Sequence, residues 1–132
     1  MSEKVYYVRK EIYDPSTGKY RREIIASAPV QKAGTATGTG TDLDVLTYTV
    51  PTGKKLYIYK LGLSGGDDKT WKVLYGTTVI DYIMVEGGKQ YSEISSPGAP
   101  LYVIPGGQTL KIQCIGSTSA VVYNASFVGV EM

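Results

Sequence analysis

Two short segments with the same residue pattern restrict the fold of this chain most. Residues 50–58 and 104–112 both read apolar-Pro-x-Gly-x-x-Leu-x-Ile, and they lie 54 positions apart. Proline presets φ at the start of a turn, and glycine supplies a positive φ without steric cost. The Leu-x-Ile that follows begins an alternating strand with one buried face. Each copy therefore predicts a strand end, a tight turn and a new strand.

The N-terminal part of the chain predicts a hairpin followed by a linker. Residues 4–13 and 19–27 are strand-like, and an Asp-Pro-Ser-Thr-Gly turn separates them. Because two strands alone are marginally stable, we expect this hairpin or arm, residues 1–30, to lie on its own domain or on a neighbouring subunit. The Gly/Thr-rich segment 31–43 is interpreted as a linker, which is either a surface loop or a hinge.

Residues 44–132 predict an all-β domain, because short strand-like segments alternate with Gly/Pro turns and no helical periodicity occurs. Eight strands suit a jelly-roll β-sandwich, to which the N-terminal β-hairpin is added. The alternative is an immunoglobulin-like sandwich, although the Cys…Trp…Cys pattern of some members is absent. The eight predicted strands are Asp44–Val50, Lys55–Ser64, Trp71–Tyr75, Thr77–Glu86, Gln90–Ser95, Ala99–Ile104, Thr109–Gly116 and Ala120–Met132.

The repeated turn also predicts which strands are neighbours. If the two Pro-Gly turns are equivalent corners related by an approximate two-fold axis, the strands that follow them pair with each other. We therefore expect Leu56 and Ile58 to lie on a strand adjacent to that of Leu110 and Ile112, with all four side chains facing one core.

The composition limits the chemistry that the chain can perform. It has twelve tyrosines but no histidine, which removes the commonest general base and the commonest metal ligand. A net charge of +2 gives no strong field to attract nucleic acid or an anionic membrane. Cys114, the single cysteine, alternates with Leu110 and Ile112 and is expected in the core. No signal peptide or long apolar run is apparent, so we expect synthesis in a cytosol and no membrane partner.

Carboxylates provide only weak candidates for a chemical site. Asp67 and Asp68 could hold a cation, but their spacing fits no ligand loop, and a solvated turn is the simpler interpretation. Asp81 interrupts an apolar run, and as a glycosidase acid it would need Glu86 or Glu93 as a second carboxylate. The sequence therefore predicts no enzyme, no catalytic residue, no metal site and no cofactor.

Aromatic side chains are better candidates for a surface role. Exposed tyrosine and tryptophan rings stack on sugars and are enriched at protein interfaces. Packing between the sheets is the alternative for each of them. The residues that we select as possible ligand or interface residues are Trp71, Tyr57, Tyr59, Tyr75 and Tyr91.

The two Pro-Gly corners and the closing segment Ala-Val-Val-Tyr-Asn-Ala-Ser-Phe-Val-Gly-Val-Glu, residues 120–131, resemble single jelly-roll structural proteins of viruses and phages. The histidine-free, Tyr/Gly/Thr-rich composition is similar to that of virion proteins of thermophilic archaeal viruses. The resemblance covers residues 44–132.

This resemblance implies a non-enzymatic capsid, turret, decoration or receptor-binding protein. Such a protein is a homo-oligomer that also contacts other virion proteins, and it lies in a virion assembled in the host cytoplasm. The alternative is a carbohydrate-binding or host-receptor-binding module that uses exposed Trp and Tyr side chains to hold a glycan.

Overall fold

The computed structural model describes the backbone of residues 6–14, 19–96 and 98–132, and side chains from residue 28 onwards within these ranges. This part of the chain contains ten β-strands and no helix. The strands are β1 (Tyr6–Asp14), β2 (Lys19–Thr37), β3 (Leu43–Thr49), β4 (Leu56–Gly65), β5 (Lys69–Tyr75), β6 (Thr78–Val85), β7 (Gln90–Ile94), β8 (Tyr102–Ile104), β9 (Thr109–Cys114) and β10 (Val122–Glu131).

The strands form two antiparallel sheets that face each other as a β-sandwich. The first sheet has the order β1-β2-β10-β4-β7, and the second has the order β3-β9-β5-β6. Strand β8 joins the first sheet on the same side of β4 as β7, pairing with Leu56–Ile58 while β7 pairs with Lys60–Ser64. The predicted all-β sandwich is confirmed, and each of the eight predicted segments overlaps one strand, while β2 adds a further strand to the sandwich.

The strand pairs are nested along the chain. Strand β2 pairs with β10, β3 with β9, β4 with β8 and β7, and β5 with β6. The chain thus follows the path of one long antiparallel hairpin whose two halves are folded over together. The additional pairs β10–β4 and β9–β5 join the folded layers within each sheet.

Alternation along the strands builds one core between the sheets. In β9, Leu110, Ile112 and Cys114 point inward and are fully buried, whereas the residues between them are partly exposed. Burying one large apolar side chain contributes roughly 1.5–3 kcal/mol, so these inner faces hold the two sheets together. The expected burial of Cys114 is confirmed, and burial raises the pKa of its thiol to about 11. The largest buried side chains are Trp71, Tyr123, Phe127, Leu56, Ile58, Leu61, Leu63, Ile104, Leu110 and Ile112.

The two Pro-Gly corners lie side by side at one end of the sandwich. The first leads from β3 to β4, and the second leads from β8 to β9. The Val50 N–H donates to the carbonyl of Gln108 over 2.9 Å, and the Gly107 N–H donates to the carbonyl of Val50 over 2.8 Å. The repeated sequence therefore forms a pair of corners in mutual contact.

The prediction that these corners place Leu56 and Leu110 on adjacent strands is wrong. Strand β4 belongs to the first sheet and β9 to the second. The reason is that both turns cross between the sheets but do so in opposite directions, so the strands that follow them face each other across the core. Ile58 and Ile112 share that core as predicted, and all four side chains are fully buried.

The prediction of a linker is wrong for residues 31–37, which form the last part of β2 and pair with β10. A Cβ atom on Gly34 would collide with the carbonyl of Val45, and one on Gly38 would collide with the carbonyl of Thr118. Gly34 therefore allows close approach of backbones from opposite sheets, and Gly38 allows the loop after β2 to approach the loop after β9. The sandwich takes in residues 28–37, ahead of its predicted start at residue 44, and Leu43 already belongs to β3. The role of residues 38–42 as a hinge stays a prediction.

The hairpin pairing predicted at the N-terminus is present. Strand β1 pairs with residues 19–27 of β2, from Tyr6 opposite Ser27 to Asp14 opposite Lys19. The predicted turn at residues 15–18 lies outside the described residues. Within β2, β10 pairs only with residues 28–37, so the hairpin of β1 and residues 19–27 extends beyond the last residue of β2 that β10 contacts.

Candidate interaction surface

Trp71 lies in the core rather than on a surface. It alternates with Val73 on the inner face of β5 and is only 1% exposed. Its ring meets that of Tyr123 edge to face, with 6.0 Å between the ring centroids. The interpretation of Trp71 as an exposed ligand residue is therefore wrong, because the periodicity of β5 turns the indole inward.

The four selected tyrosines are partly buried and do not form one patch. Tyr57 and Tyr59 lie on β4 and Tyr91 lies on β7, whereas Tyr75 lies on β5 in the opposite sheet. Tyr91 pairs with Leu63, six residues along β4 from Tyr57, and six strand residues span roughly 20 Å. A shared sugar platform is not built from these side chains, and their individual roles at an interface stay predictions.

Tyrosine–carboxylate pairs connect the two sheets on both sides of the sandwich. On one side, the hydroxyl of Tyr48 on β3 donates to Glu131 on β10. On the other side, the hydroxyl of Tyr102 on β8 donates to Asp81 on β6 over 2.5 Å. Both bonds join strands of different sheets, so these hydrogen bonds hold the two sheets together along the sides of the sandwich, which we call its rims.

Burial and negative charge hold these tyrosines in the protonated form. Burial and the bond to Glu131 raise the pKa of Tyr48 to about 12. Burial and the bond to Asp81 likewise raise the pKa of Tyr102. Glu131 is itself only 7% exposed, and a buried carboxylate needs such a donor. The Lys32 ammonium lies 5.6 Å from the centre of the Tyr48 ring.

Two carboxylates lie along the opening between β6 and β7. Asp81 is on the inner face of β6, and Glu93 accepts a 2.5 Å hydrogen bond from Tyr91 on β7. Asp81 is bonded to Tyr102 on β8, and β8 lies on the same side of β4 as β7, which carries Glu93, so the two carboxylates are on the same side of the sandwich. We call Asp81 and Glu93 the acidic rim. Glu86, the other carboxylate considered beside Asp81, pairs with Lys89 at 2.7 Å instead.

Asp67 organises a third rim, at the loops that follow β4 and β9. It accepts hydrogen bonds from Thr118 at 2.5 Å and Tyr123 at 2.7 Å, and these donors lower its pKa. Asp68 accepts the Gly87 N–H at 2.7 Å. Because protein donors occupy these oxygens, the bonds support a structural turn in preference to a cation site. In the described ranges, no group of three or more acidic or cysteine side chains could hold a metal ion.

The outer edge of the second sheet is the surface that the sequence did not identify. Among the described strands, β6 pairs only with β5, so its other edge is unpaired. Tyr82 and Met84 on its outer face are 63% and 85% exposed, while Ile83 and Val85 between and beside them are buried. Sequence alternation assigns Tyr82 and Met84 to one face and Ile83 and Val85 to the other. Because apolar residues occur on both faces, the sequence does not indicate which face is exposed to solvent.

Comparison with known proteins assigns no family to this arrangement. No protein-family model matches the chain, and no curated protein matches it. None of the described segments is a helix long and apolar enough to cross a membrane.

Proposed function

We propose that this chain is a non-enzymatic structural protein of a virion, built on a jelly roll, which assembles with copies of itself through sheet edges and its N-terminal hairpin. The nested pairs from β2–β10 to β5–β6 support the jelly roll, because a long hairpin folded over into two sheets has this order. The virion role depends on the resemblance of the corners and the closing strand to viral structural proteins.

The observation that carries the proposal is the position of the hairpin. Strand β1 pairs with residues 19–27, and β10 pairs with the next residue onwards. The hairpin ribbon therefore has no third strand among the described residues. A two-stranded ribbon is marginally stable in water, and docking on another copy would stabilise it. The hairpin of β1 and residues 19–27 thus acts as an arm that reaches a neighbour, whereas residues 28–30 of the predicted arm pair with β10 in the sandwich.

Edge strands support the same conclusion. An open edge presents unpaired N–H and C=O groups, and soluble monomers usually protect such an edge with lysine, proline or a covering segment. Strand β6 contains no lysine or proline. Assembly would cover this edge, whereas a monomer would expose it to aggregation.

Sedimentation velocity of the full chain over a wide concentration range tests the proposal. We expect a defined oligomer. Val8→Pro removes a backbone N–H from β1, where Val8 lies opposite Ile25, and we expect this variant to sediment as a monomer.

The single tryptophan provides the control for folding. Trp71 is buried in the sandwich, so its blue-shifted fluorescence should be equal in Val8→Pro and in the unmodified protein. A full chain that stays monomeric at every concentration would contradict the proposed assembly. If Val8→Pro forms the same oligomer as the unmodified protein, the chain assembles, but the hairpin does not take part in the assembly.

A further inference from the structure

We infer that the free edge of β6, with Tyr82 and Met84, is the docking site for the N-terminal hairpin of a second copy of this chain. This inference rests on the proposed self-assembly and specifies the surface that receives the arm. Strand addition at a sheet edge combines main-chain hydrogen bonds with pockets for alternate side chains, and both the edge and the hairpin are available for it.

The composition of β6 is that of a pairing edge. Its eight residues, Thr-Val-Ile-Asp-Tyr-Ile-Met-Val, are mostly β-branched, aromatic or apolar and include one charge, Asp81. Among the large apolar side chains that the structure describes, Met84 is the most exposed, at 85%. Exposed apolar side chains beside unpaired backbone groups indicate a surface that is covered by another strand.

The other edges of the sandwich are less suitable. At the β3 edge, β2 approaches so closely that Gly34 has no room for a Cβ beside the carbonyl of Val45. At the β7–β8 edge, two short strands share β4 and are interrupted between Ile94 and Tyr102. Strand β6 is a continuous edge of eight residues, close in length to the nine residues of β1.

Charge favours the hairpin over a second β6 as the occupant. Residues 28–132 contain equal numbers of acidic and basic side chains, so the net charge of +2 comes from residues 1–27. The acidic rim, Asp81 and Glu93, borders the β6 edge, and no lysine or arginine among residues 28–96 and 98–132 lies within 4.0 Å of either carboxylate. A basic hairpin is attracted to this rim, whereas two copies of β6 would bring like charges together. The charged residues of the N-terminal segment are Lys4, Arg9, Lys10, Lys19, Arg21 and Arg22 against Glu3, Glu11, Asp14 and Glu23.

Photo-crosslinking identifies the occupant directly. The photoreactive residue p-benzoylphenylalanine replaces Tyr82 in one batch of full-length protein, which is mixed with an isotopically labelled unmodified batch and irradiated. We expect crosslinked peptides that join the β6 position of one copy to residues 6–27 of the other. The same photoreactive residue at Val122, a half-exposed position on β10, is the matched control and should not give this product.

Each outcome of the crosslinking decides between occupants. Crosslinks from Tyr82 to the β6 region of the second copy would overturn the inference, because β6 would then pair with its own counterpart. An oligomer without crosslinks from this position would also overturn it while leaving the proposed assembly intact. A protein that is monomeric in the same samples would overturn both.

A substitution supplies an independent measurement. Met84→Lys places a charge on the free edge, where lysine opposes strand addition, and we expect the association constant to fall by about tenfold or more. Val122→Lys exchanges an exposed apolar residue for lysine away from that edge and should leave association unchanged. Equal effects of the two variants would contradict a site at β6.

Discussion

Gly34 and Gly38 show why the residues expected to be flexible are instead closely packed. Neither has a positive φ, so backbone conformation does not require glycine there. What requires it is space, because the carbonyls of Val45 and Thr118 occupy the positions where a Cβ would be. In a sequence, a glycine for close approach and a glycine for flexibility have the same letter and similar neighbours. Only the folded structure, in which another backbone segment lies against each glycine, distinguishes the two kinds of glycine.

Gly34→Ala is expected to destabilise the sandwich by about 1–3 kcal/mol, the usual cost of inserting a methyl group into filled space. The cost is towards the upper end because the colliding atom belongs to the backbone of Val45, which cannot rotate away. Urea denaturation followed by Trp71 fluorescence measures the change. Gly98→Ala is the matched control, since a Cβ at Gly98 meets no atom within 4 Å. Equal stability of the two variants would show that β2 and β3 have room to separate.

The tyrosines explain how a chain without histidine closes its rims. Tyr48, Tyr91, Tyr102 and Tyr123 each donate a hydroxyl to a carboxylate. A tyrosine ring can pack against the core while its hydroxyl reaches a polar partner at the margin. The high tyrosine content was interpreted as a sign of ligand or interface surfaces, but Tyr48 and Tyr102 instead join the two sheets. Tyr123 bonds the loop after β4, and Tyr91 bonds Glu93 within β7.

At the scale of elements, turn chemistry and alternation predicted strand positions well. The turn signals and the burial pattern of β9 are local, and local physics decides them. Which strands become neighbours is decided by long-range packing. The two Pro-Gly corners illustrate the difference, because their shared pattern specifies a turn but not the direction in which the chain crosses between sheets.

The candidate surface was less predictable for a related reason. Strand β6 is apolar on both faces, and its one acidic residue is on the inner face, bonded to Tyr102. The usual rule would place Asp81 outside and Tyr82 and Met84 inside. The partner that reverses this arrangement lies 21 residues away in sequence, so no local pattern could have indicated it.

Tyr102→Phe is expected to loosen the β6 edge without unfolding the protein. The variant removes a hydrogen bond to a carboxylate, worth about 1.5–3 kcal/mol, and this bond ties β8 to β6. Amide hydrogen exchange in β6 should accelerate by about tenfold or more, while exchange in β3 stays unchanged. Hydrogen exchange with mass spectrometry measures both strands. Tyr57→Phe is the control, because the hydroxyl of Tyr57 bonds no other described residue. If hydrogen exchange in β6 accelerates equally in both variants, the bond between Tyr102 and Asp81 does not specifically hold β6 in place.

For the whole molecule, these rims make stability sensitive to alkaline pH. An unfolded tyrosine loses its proton near pH 10, whereas Tyr48 and Tyr91 in the folded protein retain theirs until about pH 12. Between these values the folded state binds more protons than the unfolded state, so the free energy of unfolding must fall as pH rises. Below pH 10 both states are protonated, and this contribution to stability is fully present.

Urea denaturation at a series of pH values from neutral to about 12 tests this linkage. We expect a decline in the free energy of unfolding that begins near pH 9, where the thiol of Cys114 ionises in the unfolded chain while burial raises its folded pKa to about 11. The decline should steepen near pH 10 as the tyrosines contribute, and it should be shallower in Tyr48→Phe because one of the shifted hydroxyls is absent. Tyr82→Phe removes a hydroxyl from a side chain that is 63% exposed. In this variant the free energy of unfolding should fall with pH as steeply as in the unmodified protein. If Tyr48→Phe and the unmodified protein decline equally, the bond between Tyr48 and Glu131 does not contribute to closing the sandwich in solution.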